Sequence, residues 1–277
     1  MATFNYEDSL IIKVLISCLL LLANVTAAQN ISLITWNIRD FGSRLNDQQL
    51  DSIAIRVKKA DIIAIQEVVI NESGNIAAGK VLSRLNQQSN DWNYVISAAT
   101  NSDPYYAEKY VIFWNVCEVN KVGEPWMEHH YGKEFQREPL LCRFQLSNGK
   151  EFTIVTIHSR SKKNNPEEEL KYLKYLPALY NQSLIFLGDF NVEPDNSVFV
   201  PLKSMGYKIA NEKLRTTLKT EMLDNGEYLS RILDNCLIPP SFIVKKIQVF
   251  SSIKNQSSFE FWKKVSDHLP LVVVIFI

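Results

Sequence analysis

The chain predicts an α+β fold in which two mixed β-sheets pack face to face with helices on their outer sides. Three observations predict it. Short β-branched and aliphatic runs recur along the whole chain, stripes of helical period fall between only some of them, and the last run is almost purely aliphatic, as a strand covered on both faces requires. Many strands with helices inserted at intervals suit stacked sheets; alternation alone also fits a doubly wound parallel sheet. With 46% hydrophobic and 22% charged residues, the composition supports a real core and excludes disordered and collagen-like classes. Thirty basic and thirty acidic residues cancel, so no bulk field attracts nucleic acid, and a polyanion has to be held by local cations or a metal. No repeat and no Pro/Gly/Ser-rich separator divides the chain, which reads as one domain after a leader.

The leader comes first. Lys13 precedes an apolar run from Val14 to Ala23, followed by the small-residue stretch Thr26-Ala27-Ala28. That is the pattern of a secretory signal, with cleavage expected after Ala28, leaving a mature domain over 29–277. The run is shorter than the roughly 20 residues a bilayer needs. Leu15-Ile16-Ser17-Cys18 has the form of a lipoprotein box, but Leu19 to Leu22 continue the run past the cysteine. Cys117, Cys142 and Cys236 remain in the mature chain. They form no disulfide framework or zinc spacing, although one disulfide with one free thiol stays open, and Cys142 sits in an apolar run that predicts core. Asn30, Asn71, Asn181 and Asn255 each begin a glycosylation sequon.

Ile31 to Trp36 reads as the first strand, and Leu45, Leu50, Ile53, Ala54 and Val57 as a helical stripe. Asp61 to Ile65 is a buried strand, and a short helix is expected over Gly79 to Gln88. Trp92 to Ala98 and Tyr110 to Trp114 read as paired strands. Leu140 to Leu146 and Phe152 to His158 form a hairpin through Asn148-Gly149. Pro166 opens a helix with Glu167, Glu168 and Glu169 in its first turn, where the helix dipole favours acids. Leu184 to Leu187 and Leu271 to Ile277 are continuous apolar strands. Trp36 and Trp114 are expected in the core, His129-His130 in a solvated loop, and Lys162-Lys163 and Lys263-Lys264 on the surface.

Polar residues cluster at strand ends. Apolar runs end at Asn37, Glu67, His158 and Asp189 (with Asn191 two residues on), and Ser266-Asp267-His268 precedes the last strand. Taken singly, a polar residue after a strand is a turn former. If the strands are neighbours, their ends meet at one edge and build a cleft of carboxylates, amides and imidazoles. Such an oxygen-rich set without cysteine suits a hard divalent cation, and histidine exchanges protons near neutrality. Together they suit phosphate-ester hydrolysis.

Residues Ile34 to Arg39, Gln66-Glu67-Val68, Ala107 to Tyr110, Phe135 to Pro139, Ile157-His158, Gly188 to Asn191, Leu233 to Asn235 and Ser266 to Pro270 occur in one ordered set. That set resembles the exonuclease/endonuclease/phosphatase superfamily and, within it, the secreted deoxyribonuclease I group. The resemblance implies a four-layer sandwich and a secreted, Mg²⁺-dependent endonuclease (Mn²⁺ or Ca²⁺ as alternatives) that cleaves DNA to 5′-phosphate and 3′-hydroxyl ends. It implies DNA as partner, a monomer, and no stable membrane partner. It also implies that Glu67 ligates the metal with Asn37 and Asp267, that Asp189 and Asn191 position water and phosphate, and that His158 and His268 flank the phosphate. Glu108 would orient His158, Asp234 would orient His268, and Arg137, Arg39 and Tyr106 would face the substrate. Val69 stands where close relatives carry an arginine. A second reading keeps the fold and makes sphingomyelin or phosphoinositides the substrate, but Arg137-Glu138-Pro139 and the Glu108 segment favour the nuclease branch. Against a non-catalytic binding module, no predicted catalytic position is substituted.

Overall fold

A computed structural model describes residues 29–89, 91–102 and 106–277. The expected leader, with Lys13, Cys18 and the site after Ala28, lies outside the described residues. The first sheet has the order β11-β12-β1-β2-β4-β3, from strands β1 (Asn30–Phe41), β2 (Ile62–Val68), β3 (Trp92–Ile96), β4 (Lys109–Asn115), β11 (Ile243–Val249) and β12 (Leu271–Phe276). The second has the order β5-β6-β7-β8-β10-β9, from β5 (Val119–Met127), β6 (Leu140–Leu146), β7 (Glu151–His158), β8 (Leu184–Asp189), β9 (Lys208–Ile209) and β10 (Asp234–Ile238). Each sheet has one parallel pair at its centre, β1 with β2 and β7 with β8, and its other pairings are antiparallel. That mixture is the expected sandwich and rules out the doubly wound alternative.

The facing surfaces enclose one apolar layer, in which Leu33, Ile62, Ala64 and Ile112 meet Cys142, Phe144, Ile154, Leu187 and Cys236. Helices α1 (Asp47–Val57), α2 (Glu72–Ser89) and α6 (Gln256–Val265) cover the outer face of the first sheet. The short helices α3 (Glu167–Leu170), α4 (Leu176–Tyr180) and α5 (Val200–Ser204) cover the second, completing four layers. Local chemistry sets the boundaries. In α1 the Asn46 side chain accepts the Gln49 N–H while Gln49 reaches back to the Asn46 N–H, a reciprocal cap that satisfies two otherwise unpaired donors. Asn255 and Ser258 do the same for α6.

Several elements differ from expectation. α2 begins at Glu72 rather than Gly79, because Asn71 Oδ1 accepts the Ser73 N–H (3.0 Å) and starts the helix ahead of two glycines that dilute its stripe. The Pro166 helix lasts a single turn before the chain tightens into a 3₁₀ segment at Leu173–Tyr175. Strands β5, β9, β10 and β11 and helices α4, α5 and α6 were not anticipated; β5 and β11 are amphipathic edge strands whose lysines and glycine blur the alternation. All three described cysteines are free, so the single-disulfide option is not realised; Cys142 and Cys236 are buried and Cys117 is exposed. Burial pushes the Cys142 thiol up to about 12. Trp36 and Trp114 are core residues. His129 and His130 lie in the expected exposed loop, just past β5, their ring centroids 4.2 Å apart and the planes tilted by 34°. Lys162, Lys163 and Lys264 are exposed, whereas Lys263 is half-buried and donates to the Lys219 carbonyl (2.9 Å).

One glycine controls the centre of the second sheet. Gly188 pairs with Ile157 at φ +149°, and a Cβ there would lie 1.9 Å from the Ile157 carbonyl oxygen. The next pair in register is His158 with Asp189, so a displacement at Gly188 moves both. Gly188→Ala is expected to cost more than about 3 kcal/mol. Gly79→Ala, in a helix with nothing within 4 Å of the added carbon, should stabilise by about 0.5–1 kcal/mol. Urea midpoints of the two variants check both signs.

Candidate active site

The four central strands run toward one edge of the sandwich, and residues at or near their ends meet there. Asn37 comes from β1, Glu67 from β2, His158 from β7 and Asp189 from β8. Strands running the other way contribute their beginnings: Glu108 precedes β4, Asp234 opens β10 opposite Asp189, and His268 precedes β12. Beneath the cluster, Gln66 bridges the sheets, its Nε2 donating to Thr35 Oγ1 (3.1 Å) and Thr156 Oγ1 (2.9 Å).

Asp189 is 1% exposed and sits at the middle. Its Oδ2 accepts from Asn37 Nδ2 (3.2 Å) and Asn191 Nδ2 (3.4 Å), and its Oδ1 accepts the Asn191 N–H (2.9 Å). The Nε2 atoms of His158 and His268 lie 3.8 and 3.6 Å from the same Oδ2. Each imidazole is anchored behind. His158 Nδ1 contacts Glu108 Oε2 at 2.8 Å, and His268 Nδ1 contacts Asp234 Oδ2 at 2.7 Å. A carboxylate on Nδ1 holds the proton there and turns Nε2 toward the cleft.

Glu67 reaches the cleft through a distortion. The pairing of β1 with β2 slips between Asn37 and Phe41, and Glu67 adopts φ +61°. Such a bulge re-aims one side chain. Glu67 Oε1 accepts from Asn37 Nδ2 (2.9 Å) and lies 3.8 Å from His158 Nε2. Asn37 Oδ1 is buried and has no hydrogen-bond partner among the described residues. A buried amide oxygen left unpaired beside a carboxylate fits a hard cation, which takes oxygen donors and often keeps only one or two carboxylates. No group of three or more His, Cys, Asp or Glu with metal-holding geometry occurs among the described residues, so such an ion would rest chiefly on Asn37 and Glu67.

The remaining predicted residues are less tightly joined. Arg137 is bound into the cluster, its Nε lying 2.9 Å from Glu108 Oε2 and 3.0 Å from the Tyr106 carbonyl. Tyr106 is exposed on the rim, with its ring 6.0 Å from the Arg137 guanidinium. Arg39 is exposed at the end of β1, where its N–H approaches Ser266 Oγ (3.5 Å). The half-buried carboxylate of Asp267 makes no hydrogen bond or ion pair with another described residue; its charge acts on the neighbouring His268 and, together with that of Glu67, on Arg44.

Sequence reasoning passed over three supports. Ser266, fully buried, donates to the Asn37 carbonyl (2.7 Å) and accepts the His268 N–H (3.0 Å). The Trp36 indole N–H donates to the His268 carbonyl (2.9 Å), so a tryptophan expected only to fill the core also anchors a histidine. Thr216 Oγ1 accepts the N–H groups of Leu233 (3.3 Å) and Asp234 (3.1 Å). Ser266 had a signal in its place next to Asp267-His268; Thr216, eighteen residues from Asp234, had none.

Burial opposes charge on both histidines, and the surrounding carboxylates outweigh it. His158 is raised by the charge and hydrogen bond of Glu108, with help from Glu67 and against Arg137. His268 is pushed up to about 10 by Asp234 and Asp189. The same burial pulls Asp234 toward its neutral form while His268 opposes, and one proton held between Nδ1 and Oδ2 answers both. Because the folded value of His268 lies above its ordinary 6.5, the pair stabilises fully below that pH and loses its contribution as pH rises through about 10. The stability lost in Asp234→Asn, measured from urea midpoints, should therefore be largest near pH 6 and shrink toward pH 10; a difference independent of pH would contradict it.

The Endonuclease/Exonuclease/phosphatase family model matches residues 34–268. Human deoxyribonuclease gamma is 28% identical over 91% of this chain and 88% of its own length. An endonuclease/exonuclease/phosphatase family protein of Bacteroides thetaiotaomicron superposes with a TM-score of 0.66 at 16% identity, covering 91% of this chain and 99% of that one. A mannosyl-6-phosphatase of the same organism superposes with a TM-score of 0.62 at 17% identity, covering 89% and 100%. At these identities the structural likenesses speak for the fold alone.

Proposed function

The chain belongs to the endonuclease/exonuclease/phosphatase family, and from that premise we propose that it is a divalent-cation-dependent endonuclease hydrolysing DNA to 5′-phosphate and 3′-hydroxyl ends. The observation that carries the reading is the approach of two carboxylate-anchored imidazoles, from opposite sheets, to the same Asp189 oxygen at 3.6 and 3.8 Å. Deoxyribonuclease relatives favour DNA over other phosphate esters.

Glu67 and Asn37 would hold the cation, Mg²⁺ by preference, with Asp267 near enough in sequence to His268 to join when substrate is present. A cation bound there stabilises charge on the phosphoryl oxygens. The protein's own groups do the rest. Asp189 and Asn191 orient the attacking water. Glu108 and Asp234 fix the tautomers of His158 and His268, so one Nε2 accepts a proton and the other supplies one to the departing 3′-oxygen. The Arg137 guanidinium, with Arg39 and Tyr106 at the rim, binds the phosphate backbone. The cleft core is also compatible with phosphatase chemistry, so substrate is decided by experiment.

Supercoiled plasmid with Mg²⁺ should be nicked, and EDTA should stop the reaction. His158→Ala and His268→Ala should each lower kcat/KM by about 10²-fold or more while leaving the circular dichroism spectrum unchanged. No nicking anywhere between about pH 5 and 8 would sink the proposal. Release of phosphocholine or inorganic phosphate from lipid substrates without nicking would favour the lipid reading. We further propose that residues 1–28 are removed on export. Protein recovered from the medium should then begin at Gln29 by terminal sequencing; retention of the leader would contradict this. No helix among the described residues is long and apolar enough to cross a membrane.

A further inference from the structure

We propose that Glu169 is a positioning residue of this cleft, the buried anchor that sets Arg137 against the end of the His158 strand. The inference rests on the nuclease reading above. Glu169 lies in α3, the third of three consecutive acids in its first turn, and it is 0% exposed. Its Oε2 accepts the Gln136 N–H (2.7 Å) and the Arg160 Nε–H (2.9 Å), and its Oε1 accepts the Arg160 N–H (2.5 Å). Gln136 immediately precedes Arg137, and Arg160 lies two residues beyond His158. One carboxylate therefore ties the segment carrying Arg137 to the segment leaving the His158 strand. Arg160 adds a second tie through Nη2 to the Glu134 carbonyl (3.1 Å). A charge this deeply buried is tolerated only when hydrogen-bonded and paired, and both conditions are met at full cost to its freedom to move.

The consequence falls on Arg137. On its other side Glu138, also buried, accepts the Asn101 N–H (2.9 Å), so the arginine is fixed from both flanks. Its Nε shares Glu108 with His158 Nδ1. Its Nη1 is buried without a hydrogen-bond partner among the described residues, and the residue lines the cleft with Glu67 and Tyr106. The side chain keeps 12% of its surface exposed at the cleft, and a phosphate oxygen bound there is the acceptor the proposal assigns to the guanidinium. Its placement depends on how residue 136 sits relative to residue 160, which Glu169 determines. Releasing Glu169 should cost the phosphate contact and leave the histidine couples formed.

The test is steady-state cleavage of a duplex oligonucleotide with Mg²⁺ at several salt concentrations. The variants are Glu169→Gln, Glu169→Asp (which keeps the charge but is one methylene too short to hold both segments), Arg137→Ala, and Glu169→Gln combined with Arg137→Ala. Both Glu169 variants should raise KM about tenfold with kcat within about threefold. The dependence of log KM on log salt should flatten by about 0.9, the signature of one lost phosphate contact. The double variant should be no worse than Arg137→Ala alone. Glu169→Asp carries the test if Glu169→Gln does not fold. Unchanged KM and salt slope, a fall in kcat or thermal stability alone, or additive effects in the double variant would each overturn the assignment. A parent protein that cleaves no DNA would instead refute the nuclease reading.

Discussion

A carboxylate kept almost entirely from water at the meeting point of two sheets is the constraint on which the rest depends. Asp189 is 1% exposed, and its charge is tolerable only if each oxygen is answered. The answers come from separate parts of the chain: Asn37 of β1, Asn191 just past β8, and the imidazoles of His158 and His268. Each imidazole then needs its own counter-charge, Glu108 or Asp234, and those carboxylates need donors in turn. The site is a nest of mutual compensations, and removing one member leaves another buried and unpaired.

Backbone geometry is spent where it serves this arrangement. Glu67 and Asn191 both adopt positive φ without being glycine, and Gly188 takes a conformation and an approach that a side chain would forbid. Three departures from relaxed geometry thus fall on or beside the strand ends that meet in the cleft. Such positions persist only when the surrounding fold over-determines them. Here the packed sheets do so, through the inter-sheet apolar layer and the Gln66 bridge to Thr35 and Thr156.

Much of this was legible in the residues. Apolar runs ending in Asn37, Glu67, His158 and Asp189 are strands ending at one edge, because a strand buried on both faces turns polar only where it emerges. The same reasoning could not rank their supports. Glu169 looked like an ordinary first-turn acid beside Glu167 and Glu168, since helix-start acids are favoured by the dipole whether or not they are buried. Thr216 carried no motif at all. Edge strands β5 and β11 were missed because solvent on one side permits lysine and glycine that erase the period.

The sequence by itself determined the class of fold, the central strands, the helical stripe of α1 and the set of polar groups offered for chemistry, because periodicity is local and read over a few neighbouring residues. Only the tertiary structure decided which carboxylate faces which imidazole, that Asn37 keeps an unpaired oxygen beside Glu67, and that Glu169 is buried. Those are relations between residues separated by up to hundreds of positions. They are set by sheet register and by the order in which strands pair, and neither is written in any local pattern of side chains.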